Sequence, residues 1–267
     1  MAKRLIGCVG IGVMGSALME AVIKVTGADQ VVVRDEDSLK TDAFCRKTGC
    51  RSAASNKDIA SSVEFLFLAV KPQYLSPVLE EIAGSLAEGT VVVSMAAGVR
   101  VEKVKKHLGP HASVVRIMPN TPAAVGSGVI AISPDAACPK ERVEELRRVL
   151  SLAGITELTD EPLMDAVTAV SGSGPAYGYL FIEALADAAV RIGIPRQQAI
   201  RYAAQTLKGA ADMVLQTGTH PGVLKDGVCS PGGTTIAAVS KLEEKGFRSA
   251  VIEAAVAAWN RSRELGA

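Results

Sequence analysis

The chain lacks the residue patterns that hydrolytic and metal-dependent enzymes need. Its three histidines, His107, His111 and His220, lie outside any nucleophile-elbow or metal-ligand spacing. The five cysteines are odd in number and scattered, without the CxxC spacing of a zinc site or a redox pair. We therefore expect no metal site, and we interpret the cysteines as reduced thiols of a cytoplasmic protein.

Long apolar runs and an excess of charge of either sign are also missing. The longest apolar runs, such as residues 65–70 and 91–93, have the length of strands and fall far below the ~20 residues of a membrane span. Met1–Arg4 leads directly into a predicted strand, so we expect no signal segment. The net charge of +1 predicts no basic surface for nucleic acid or for a membrane. We therefore expect small molecules as partners.

What the first 161 residues do contain is a regular alternation of β-branched runs and segments with helical spacing. Such alternation predicts right-handed crossovers and a doubly wound, mostly parallel sheet that is covered on both faces, that is, an α/β domain over residues 1–161. The predicted strands are residues 5–10, 30–33, 63–70, 90–95, 113–118, 128–133 and 155–158, and the predicted helices are residues 16–25, 38–47, 75–87, 101–108 and 140–152.

From residue 162 onward the strand signal disappears. Residues 163–192, 195–216, 234–244 and 247–264 all carry the apolar spacing of helices. These helices are rich in Ala and Val, so we expect some apolar surface to be buried between subunits. We predict an all-helical domain over residues 162–267 and an oligomeric protein.

One segment conflicts with its predicted helix. Ser171-Gly-Ser-Gly-Pro-Ala-Tyr177 falls inside the first of these helices, where two glycines and a proline are unfavourable. Two interpretations remain open. The segment is either a kink or a close helix contact, or it is a face of small residues against which a substrate or a nicotinamide can lie.

A glycine-rich turn follows the first predicted strand and opens a helix. Gly10-Ile-Gly12-Val-Met-Gly15 has the spacing of a dinucleotide fingerprint in the context that this motif requires. Gly10 permits the tight turn, Gly12 lets the backbone approach a pyrophosphate, and Gly15 lets the helix pack on the strand. We therefore predict a Rossmann-like domain that binds a dinucleotide. The alternative is a merely structural glycine turn.

The end of the second predicted strand gives opposed signals about the cofactor. Arg34 can offer a planar guanidinium to the 2′-phosphate of NADP, whereas Asp35 can accept a hydrogen bond from the 2′-hydroxyl of NAD. We favour NADPH, with NADH possible, because Arg34 comes directly after the strand.

Three further segments follow predicted strands, at the edge where open α/β sheets bind ligands. Ala69-Val70-Lys71-Pro72 and Ala96-Ala97-Gly98 offer small residues that would let a cofactor approach. Lys71 is either a ligand of ribose or phosphate or a solvated surface charge. Met118-Pro119-Asn120-Thr121-Pro122 is either a rigid turn or part of a nicotinamide pocket.

Ser230-Pro-Gly-Gly-Thr-Thr235 is a turn that leads into a predicted helix. Such a turn exposes unpaired backbone N–H groups and two hydroxyls at the positive end of a helix dipole, which predicts a site for a small carboxylate. A cofactor site together with a carboxylate site, in the absence of hydrolytic residues, indicates hydride chemistry.

In their order and spacing these segments resemble those of the pyrroline-5-carboxylate reductases. The resemblance runs along essentially the whole chain and is most specific from His220-Pro221 to Thr235. It implies NAD(P)H-dependent reduction of 1-pyrroline-5-carboxylate to L-proline, the last step of proline biosynthesis. It also implies a homodimer that forms through the helical domain and is often assembled into larger rings.

The resemblance further implies the residues of each site. The substrate carboxylate would lie on the backbone at Gly232, Gly233 and Thr234, with Ser230 in the same site, and Thr235 would act as the catalytic residue by hydrogen-bonding the ring nitrogen. The cofactor would contact Val9, Gly10, Ile11, Gly12, Val13, Met14, Arg34, Asn56, Ala69, Val70, Lys71, Pro72, Met95, Ala96 and Ala97.

Two departures from the family pattern are visible. The family commonly has Ala at the position of Gly15, and we expect this difference to be harmless. It often has Ser or Asn in the region of Arg34 and Asp35, which leaves the cofactor preference open.

Two other functions are alternatives. One is another two-domain oxidoreductase, such as a general imine reductase or a β-hydroxyacid dehydrogenase. The latter relies on a helical-domain lysine, and Lys208, Lys225 and Lys241 lack its surrounding motif. The other is a non-catalytic NADP-binding sensor, against which the intact segment from Ser230 to Thr235 argues.

Overall fold

The computed structural model describes residues 6–266. Residues 1–5 and 267 lie outside the described residues, and with them Met1–Arg4 and the predicted start of the first strand at Leu5. The described chain contains eight strands: β1 (Ile6–Val9), β2 (Val31–Arg34), β3 (Arg51–Ser52), β4 (Phe65–Leu68), β5 (Val91–Ser94), β6 (Ser113–Met118), β7 (Gly128–Pro134) and β8 (Gly154–Leu158).

Helices connect and follow these strands. Three short 3₁₀ helices occur at Ala28–Gln30, Thr121–Val125 and Glu161–Leu163. The α-helices of the described chain are α1 (Val13–Thr26), α2 (Ser38–Thr48), α3 (Asn56–Ala60), α4 (Pro72–Ile82), α5 (Val101–Leu108), α6 (Lys140–Val149), α7 (Met164–Val167), α8 (Gly174–Arg191), α9 (Arg196–Thr217), α10 (Pro221–Val228), α11 (Thr234–Glu244) and α12 (Phe247–Gly266).

All eight strands form one sheet in the order β3-β2-β1-β4-β5-β6-β7-β8. Neighbouring strands are parallel except β6 and β7, which are antiparallel. The strand order reverses between β1 and β4, and ligands of such sheets bind beyond the carboxyl ends of the strands at this reversal. The predicted doubly wound, mostly parallel fold is confirmed.

Strand β3 was not predicted. It is an edge strand of two residues, Arg51 and Ser52, and both are exposed. No apolar run marks it in the sequence because neither side chain contributes to the core.

Both faces of the sheet are covered, as β4 illustrates. Its residues Phe65 and Phe67 pack in one apolar cluster with α1, α2 and α6, whereas Leu66 and Leu68 pack in a second cluster with α3, α4 and α5. Because successive side chains of a strand point to opposite faces, a run that is apolar throughout requires helices on both sides.

The predicted helix over residues 163–192 is wrong as one continuous helix. It divides into α7, a π-helical turn at Thr168–Gly172 and α8, which begins at Gly174. Pro175 therefore lies in the first turn of α8, where the missing N–H of proline has no intrahelical partner to lose. The break removes the cost that a continuous helix would carry.

The tertiary contacts divide the chain into two compact units. The first unit ends at Ser173 and takes in the chain again from Ala257 onward, while the second unit is Gly174–Val256. In the first unit the buried Ser262 of α12 donates a 2.9 Å hydrogen bond to Asp165. The predicted boundary between residues 161 and 162 stays a prediction, although the last strand ends nearby at Leu158.

No helix in the described part of the chain is long and apolar enough to cross a membrane. Likewise, the described residues contain no group of three or more His, Cys, Asp or Glu side chains that could hold a metal ion.

Candidate cofactor and substrate sites

The glycine turn after β1 is closely packed at two of its three glycines. Gly10 has φ of 97°, and a Cβ built on it would lie 2.8 Å from the carbonyl carbon and oxygen of Ala69. A Cβ on Gly15 would lie 2.1 Å from the carbonyl oxygen of Gly10. The missing side chain of Gly15 therefore lets α1 approach the turn, and that of Gly10 lets the turn approach the segment after β4.

Gly12 is in a different environment, since a Cβ on it would meet no atom within 4 Å. Gly12 is the N-cap of α1, and no side chain caps this helix or places an acidic group in its first turn. The N–H groups at this end thus lack side-chain acceptors, while Val13 beside them is 80% exposed. An open glycine at an uncapped helix N-terminus fits the pyrophosphate of a dinucleotide.

Arg34 and Asp35, at the end of β2, have separate hydrogen-bond partners. The carboxylate of Asp35 accepts hydrogen bonds from the N–H of Ile11, at 2.7 Å, and from that of Asp37, at 3.0 Å. The Arg34 guanidinium donates through Nη1 to the carbonyl oxygen of Ala54, at 2.7 Å, on an exposed surface. Asp35 thereby supports the glycine turn, whereas most donors of Arg34 stay available for a ligand.

Asn56 follows β3, two residues after the Ala54 that binds Arg34. It is the first residue of α3, and its Nδ2 donates a 2.7 Å hydrogen bond to Glu81. Because Ala54 binds Arg34, the two residues predicted for the adenosine end belong to one small surface.

The segments after β4 and β5 lie at the same edge of the sheet. The N–H of Ala69 donates to the carbonyl oxygen of Val9, at 2.8 Å, which joins this segment to the end of β1. Lys71 is the exposed N-cap residue of α4, and Pro72 begins that helix. Within the described residues Lys71 forms no ion pair, so both interpretations of this residue stay open. The remaining predicted contacts at this edge are Val70, Met95, Ala96 and Ala97.

The turn after β6 is held by Asn120, whose side chain is nearly buried. Its Nδ2 donates to the carbonyl oxygen and to the hydroxyl of Ser171, at 3.1 and 3.2 Å, and its Oδ1 accepts the N–H of Val129, at 2.9 Å. These bonds support the rigid-turn interpretation. They also connect the π-helical turn to the end of β6, a link that sequence reasoning missed.

In the second unit, the turn before α11 has a geometry that glycine alone satisfies. Gly232 has φ of 67°, and a Cβ on Gly233 would lie 2.3 Å from the hydroxyl oxygen of Ser230. Gly233 is the N-cap of α11, which lacks a side-chain cap and an acidic residue in its first turn. Within the described chain the hydroxyls of Thr234 and Thr235 form no hydrogen bond. The turn therefore offers N–H and O–H donors to a small anion.

His220 has a structural role in the same unit. It is the N-cap of α10, and its Nδ1 accepts a 3.1 Å hydrogen bond from the N–H of Gly222. A ring nitrogen that accepts in this way satisfies one of the otherwise unpaired N–H groups at the start of the helix.

A buried charge cluster in the first unit was missed by the sequence analysis. Arg116, on β6, is 2% exposed and lies 3.6 Å from Glu161 and 3.7 Å from Asp165. Burial lowers the pKa of the Arg116 guanidinium, and the two carboxylates oppose that shift. Glu161 also accepts the N–H of Val101 at the start of α5, at 2.7 Å. The signal in the sequence was a lone charge within an apolar strand.

Comparisons with known proteins identify related sequences and structures for both halves of the chain. A family model described as pyrroline-5-carboxylate reductase dimerisation matches residues 161–265, and one described as NADP oxidoreductase coenzyme F420-dependent matches residues 5–98. The chain is 43% identical to the pyrroline-5-carboxylate reductase of Escherichia coli (strain K12) over 265 residues, which is 98% of each chain.

A second relative and a solved structure are also similar to the chain over nearly its whole length. The pyrroline-5-carboxylate reductase of Synechocystis is 43% identical over 263 residues, again 98% of each chain. The crystal structure of Plasmodium falciparum pyrroline carboxylate reductase with NADP bound has a TM-score of 0.89 at 30% identity, with all of both chains covered.

Proposed function

The chain belongs to the pyrroline-5-carboxylate reductase family, and we propose which of its residues bind the cofactor and which bind the substrate in the reaction of that family. The reaction is the NAD(P)H-dependent reduction of 1-pyrroline-5-carboxylate to L-proline, the last step of proline biosynthesis. Identity of 43% over 98% of the chain decides against the β-hydroxyacid dehydrogenase alternative. The assignment of roles rests on two helix N-termini that have a glycine N-cap and no side-chain cap, α1 in the first unit and α11 in the second.

The first of these helix ends binds the cofactor. Residues Val9 to Met14 hold the pyrophosphate on the N–H groups at the start of α1, and the segments Ala69–Pro72 and Met95–Ala97 line the rest of the cofactor. Arg34 and Asn56 meet the adenosine end. NADPH is preferred because the exposed guanidinium of Arg34 can bind a 2′-phosphate, and NADH is used less well.

The second helix end binds the substrate carboxylate. The carboxylate oxygens accept hydrogen bonds from the backbone N–H groups at Gly232, Gly233 and Thr234, and the hydroxyl of Ser230 lies in the same turn. The hydroxyl of Thr235 hydrogen-bonds the ring nitrogen and orients the imine as the catalytic residue.

The chemistry needs little acid from the protein. When bound, the reduced nicotinamide supplies a hydride to the imine carbon. If the imine enters protonated, its positive charge disappears as the hydride arrives, so Thr235 only has to hold the ring nitrogen in place. A reaction that needs no strong acid fits a turn that offers hydroxyl and N–H groups as hydrogen-bond donors, without a carboxylic acid or a histidine.

We further propose that the chain is a homodimer formed through its helices, assembled into a larger oligomer, and that it acts in the cytoplasm. The dimerisation family model over residues 161–265 supports the dimer. So does an apolar groove of about 470 Å³ in the second unit. Among its lining residues are Leu180, Phe181, Leu185, Phe247 and Val251.

The first experiment is oxidation of NADPH, and separately of NADH, by the purified protein with 1-pyrroline-5-carboxylate. We expect turnover with both, faster with NADPH. Thr235→Ala should lower kcat by at least about tenfold while the Kd for NADPH stays nearly unchanged. Ser240→Ala, which removes an exposed hydroxyl further along α11, is the matched control. Unchanged turnover of Thr235→Ala would remove Thr235 from the mechanism, and no turnover with either cofactor would refute the reductase function.

A further inference from the structure

Two cysteines of the first unit lie in contact with each other. Cys45 is in the last turn of α2, and Cys50 directly precedes β3. Their sulfur atoms are 3.7 Å apart. A disulfide needs about 2.05 Å, so the sulfurs have to approach by less than about 2 Å.

The backbone brings these thiols together. Gly49 ends α2 in the left-handed conformation, with φ of 77°, and its N–H donates to the carbonyl oxygen of Cys45, at 2.8 Å. A helix that ends in this way returns the chain beside its own last turn, so that Cys50 faces Cys45. The contact thus follows from a rigid local turn.

The two thiols differ in access to solvent. Cys45 is half-buried, whereas Cys50 is buried. Burial raises the pKa of the Cys45 thiol, and the neighbouring Cys50 raises it further. The neutral thiol is therefore the resting form, so Cys45 must lose its proton before it can react, and we expect exchange with an oxidant to be slow.

A displacement of Cys50 would shift the segment that holds Arg34, because only a few residues separate the two. β3 begins at the next residue and pairs with β2 over only two residues. Beyond it, the N–H of Ala53 donates to Val33, at 3.2 Å, and the carbonyl oxygen of Ala54 holds the Arg34 guanidinium, at 2.7 Å. A two-residue edge strand offers little resistance to a shift. This step rests on the proposed role of Arg34 at the 2′-phosphate.

We propose that Cys45 and Cys50 form a reversible disulfide with a low-molecular-weight disulfide as oxidant, and that this bond weakens the binding of NADPH. Cys45 first loses its proton to solvent, and its sulfur then attacks one sulfur of the oxidant, forms a mixed disulfide and releases one thiol. The thiolate of Cys50 then attacks the sulfur of Cys45 and releases the second thiol. The protein loses two protons and two electrons, and these reduce the S–S bond of the oxidant.

The test uses the full-length protein with oxidised glutathione as the probe. After alkylation of the remaining thiols, peptide mapping should find residues 45 and 50 joined, with the loss of two hydrogen masses. The Kd for NADPH should rise by about threefold or more and return on reduction, while the Kd for NADH changes less. Cys45→Ser should abolish both effects, and Cys229→Ser, which keeps the pair, should retain them.

Absence of the joined peptide would overturn the proposal, and so would a joined peptide with an unchanged Kd for NADPH. Arg34→Ala separates this proposal from the proposed function. If that variant binds NADPH as the parent does, the role of Arg34 is wrong, whereas the peptide map and the Kd of the oxidised parent still decide the thiol proposal.

Discussion

The two units differ in where their large apolar side chains lie. In the first unit large apolar side chains are buried around the sheet, and every residue of β4 is at most 1% exposed. In the second unit the buried apolar residues are small, Ala186, Ala199 and Ala203, whereas Leu180 is 68% exposed. An apolar surface of this kind is typical of a subunit interface. The first unit thus buries large apolar side chains around its own sheet, whereas the second unit leaves them at its surface, as the proposed dimer requires.

The largest expected effect is the loss of the buried charge in the first unit. Arg116→Ala empties the space of a side chain that is 2% exposed and removes the counter-ion of Glu161 and Asp165, which should cost about 2–5 kcal/mol of the free energy of unfolding, mainly through the cavity because both carboxylates are partly exposed. Urea denaturation of the variant and the parent measures this loss of unfolding free energy. Arg148→Ala is the matched control, since the Arg148 side chain is 71% exposed and its pair with Glu145 should contribute at most about 1 kcal/mol. Equal losses in both variants would show that this cluster does not stabilise the first unit.

The next prediction concerns the apolar groove of the second unit. Phe181→Asp should weaken self-association by about 100-fold or more, because it places a charge in a surface that a partner buries. Sedimentation velocity over a range of concentrations measures it, and NADPH binding by the first unit should persist. Leu39→Asp changes an apolar residue of α2 that is 75% exposed and should not alter the assembly. An unchanged oligomer of Phe181→Asp would contradict the role assigned to the groove.

A smaller effect is expected in the glycine turn. From the sequence we expect Gly15 in place of the family's common Ala to be harmless, but in this structure Gly15→Ala places a Cβ 2.1 Å from the carbonyl oxygen of Gly10 and should cost about 1–3 kcal/mol of stability, with weaker NADPH binding. Gly209→Ala, within α9, meets no atom within 4 Å and should be neutral or stabilising by up to about 1 kcal/mol. Thermal unfolding and calorimetric titration report the two quantities. If Gly15→Ala matches the parent in both, the close approach of α1 to the turn is not required.

The smallest effect should be in cofactor preference. Arg34→Ala should raise the Kd for NADPH by about tenfold and leave that for NADH nearly unchanged, because only NADPH carries the 2′-phosphate. Arg46→Ala is the control, since it removes an exposed arginine elsewhere in the same unit. Parallel losses for both cofactors in Arg34→Ala would assign this residue to the adenosine in general.

Much of the fold could be predicted because the signals are local, and the predictions for the two candidate sites rest on local signals as well. The apolar run at β4 requires a sheet that is covered on both faces, and the spacing of Gly10, Gly12 and Gly15 marks the turn after β1. The turn at Gly232 and Gly233 is marked in the same way. In each case the signal lies within a few consecutive residues, although the contacts themselves, such as Gly10 against Ala69, join distant parts of the chain.

The rest depends on residues that are distant in sequence. Asn120 reads as part of a turn, but its partner Ser171 lies 51 residues away. Arg116 reads as an isolated charge until folding brings Glu161 and Asp165 beside it. Helical spacing continues across the break between α7 and α8, so the sequence left a kink there as only one of its open interpretations.

The sequence by itself therefore determined the alternation of strands and helices, the glycine-rich helix ends and the family. Only the tertiary structure decided that Asp35 supports the glycine turn while most donors of Arg34 stay available, that Asn120 holds the π-helical turn, and that Cys45 and Cys50 touch. The physical reason is that hydrogen bonds and close contacts act over a few ångströms, and only the folded chain brings these groups within that range.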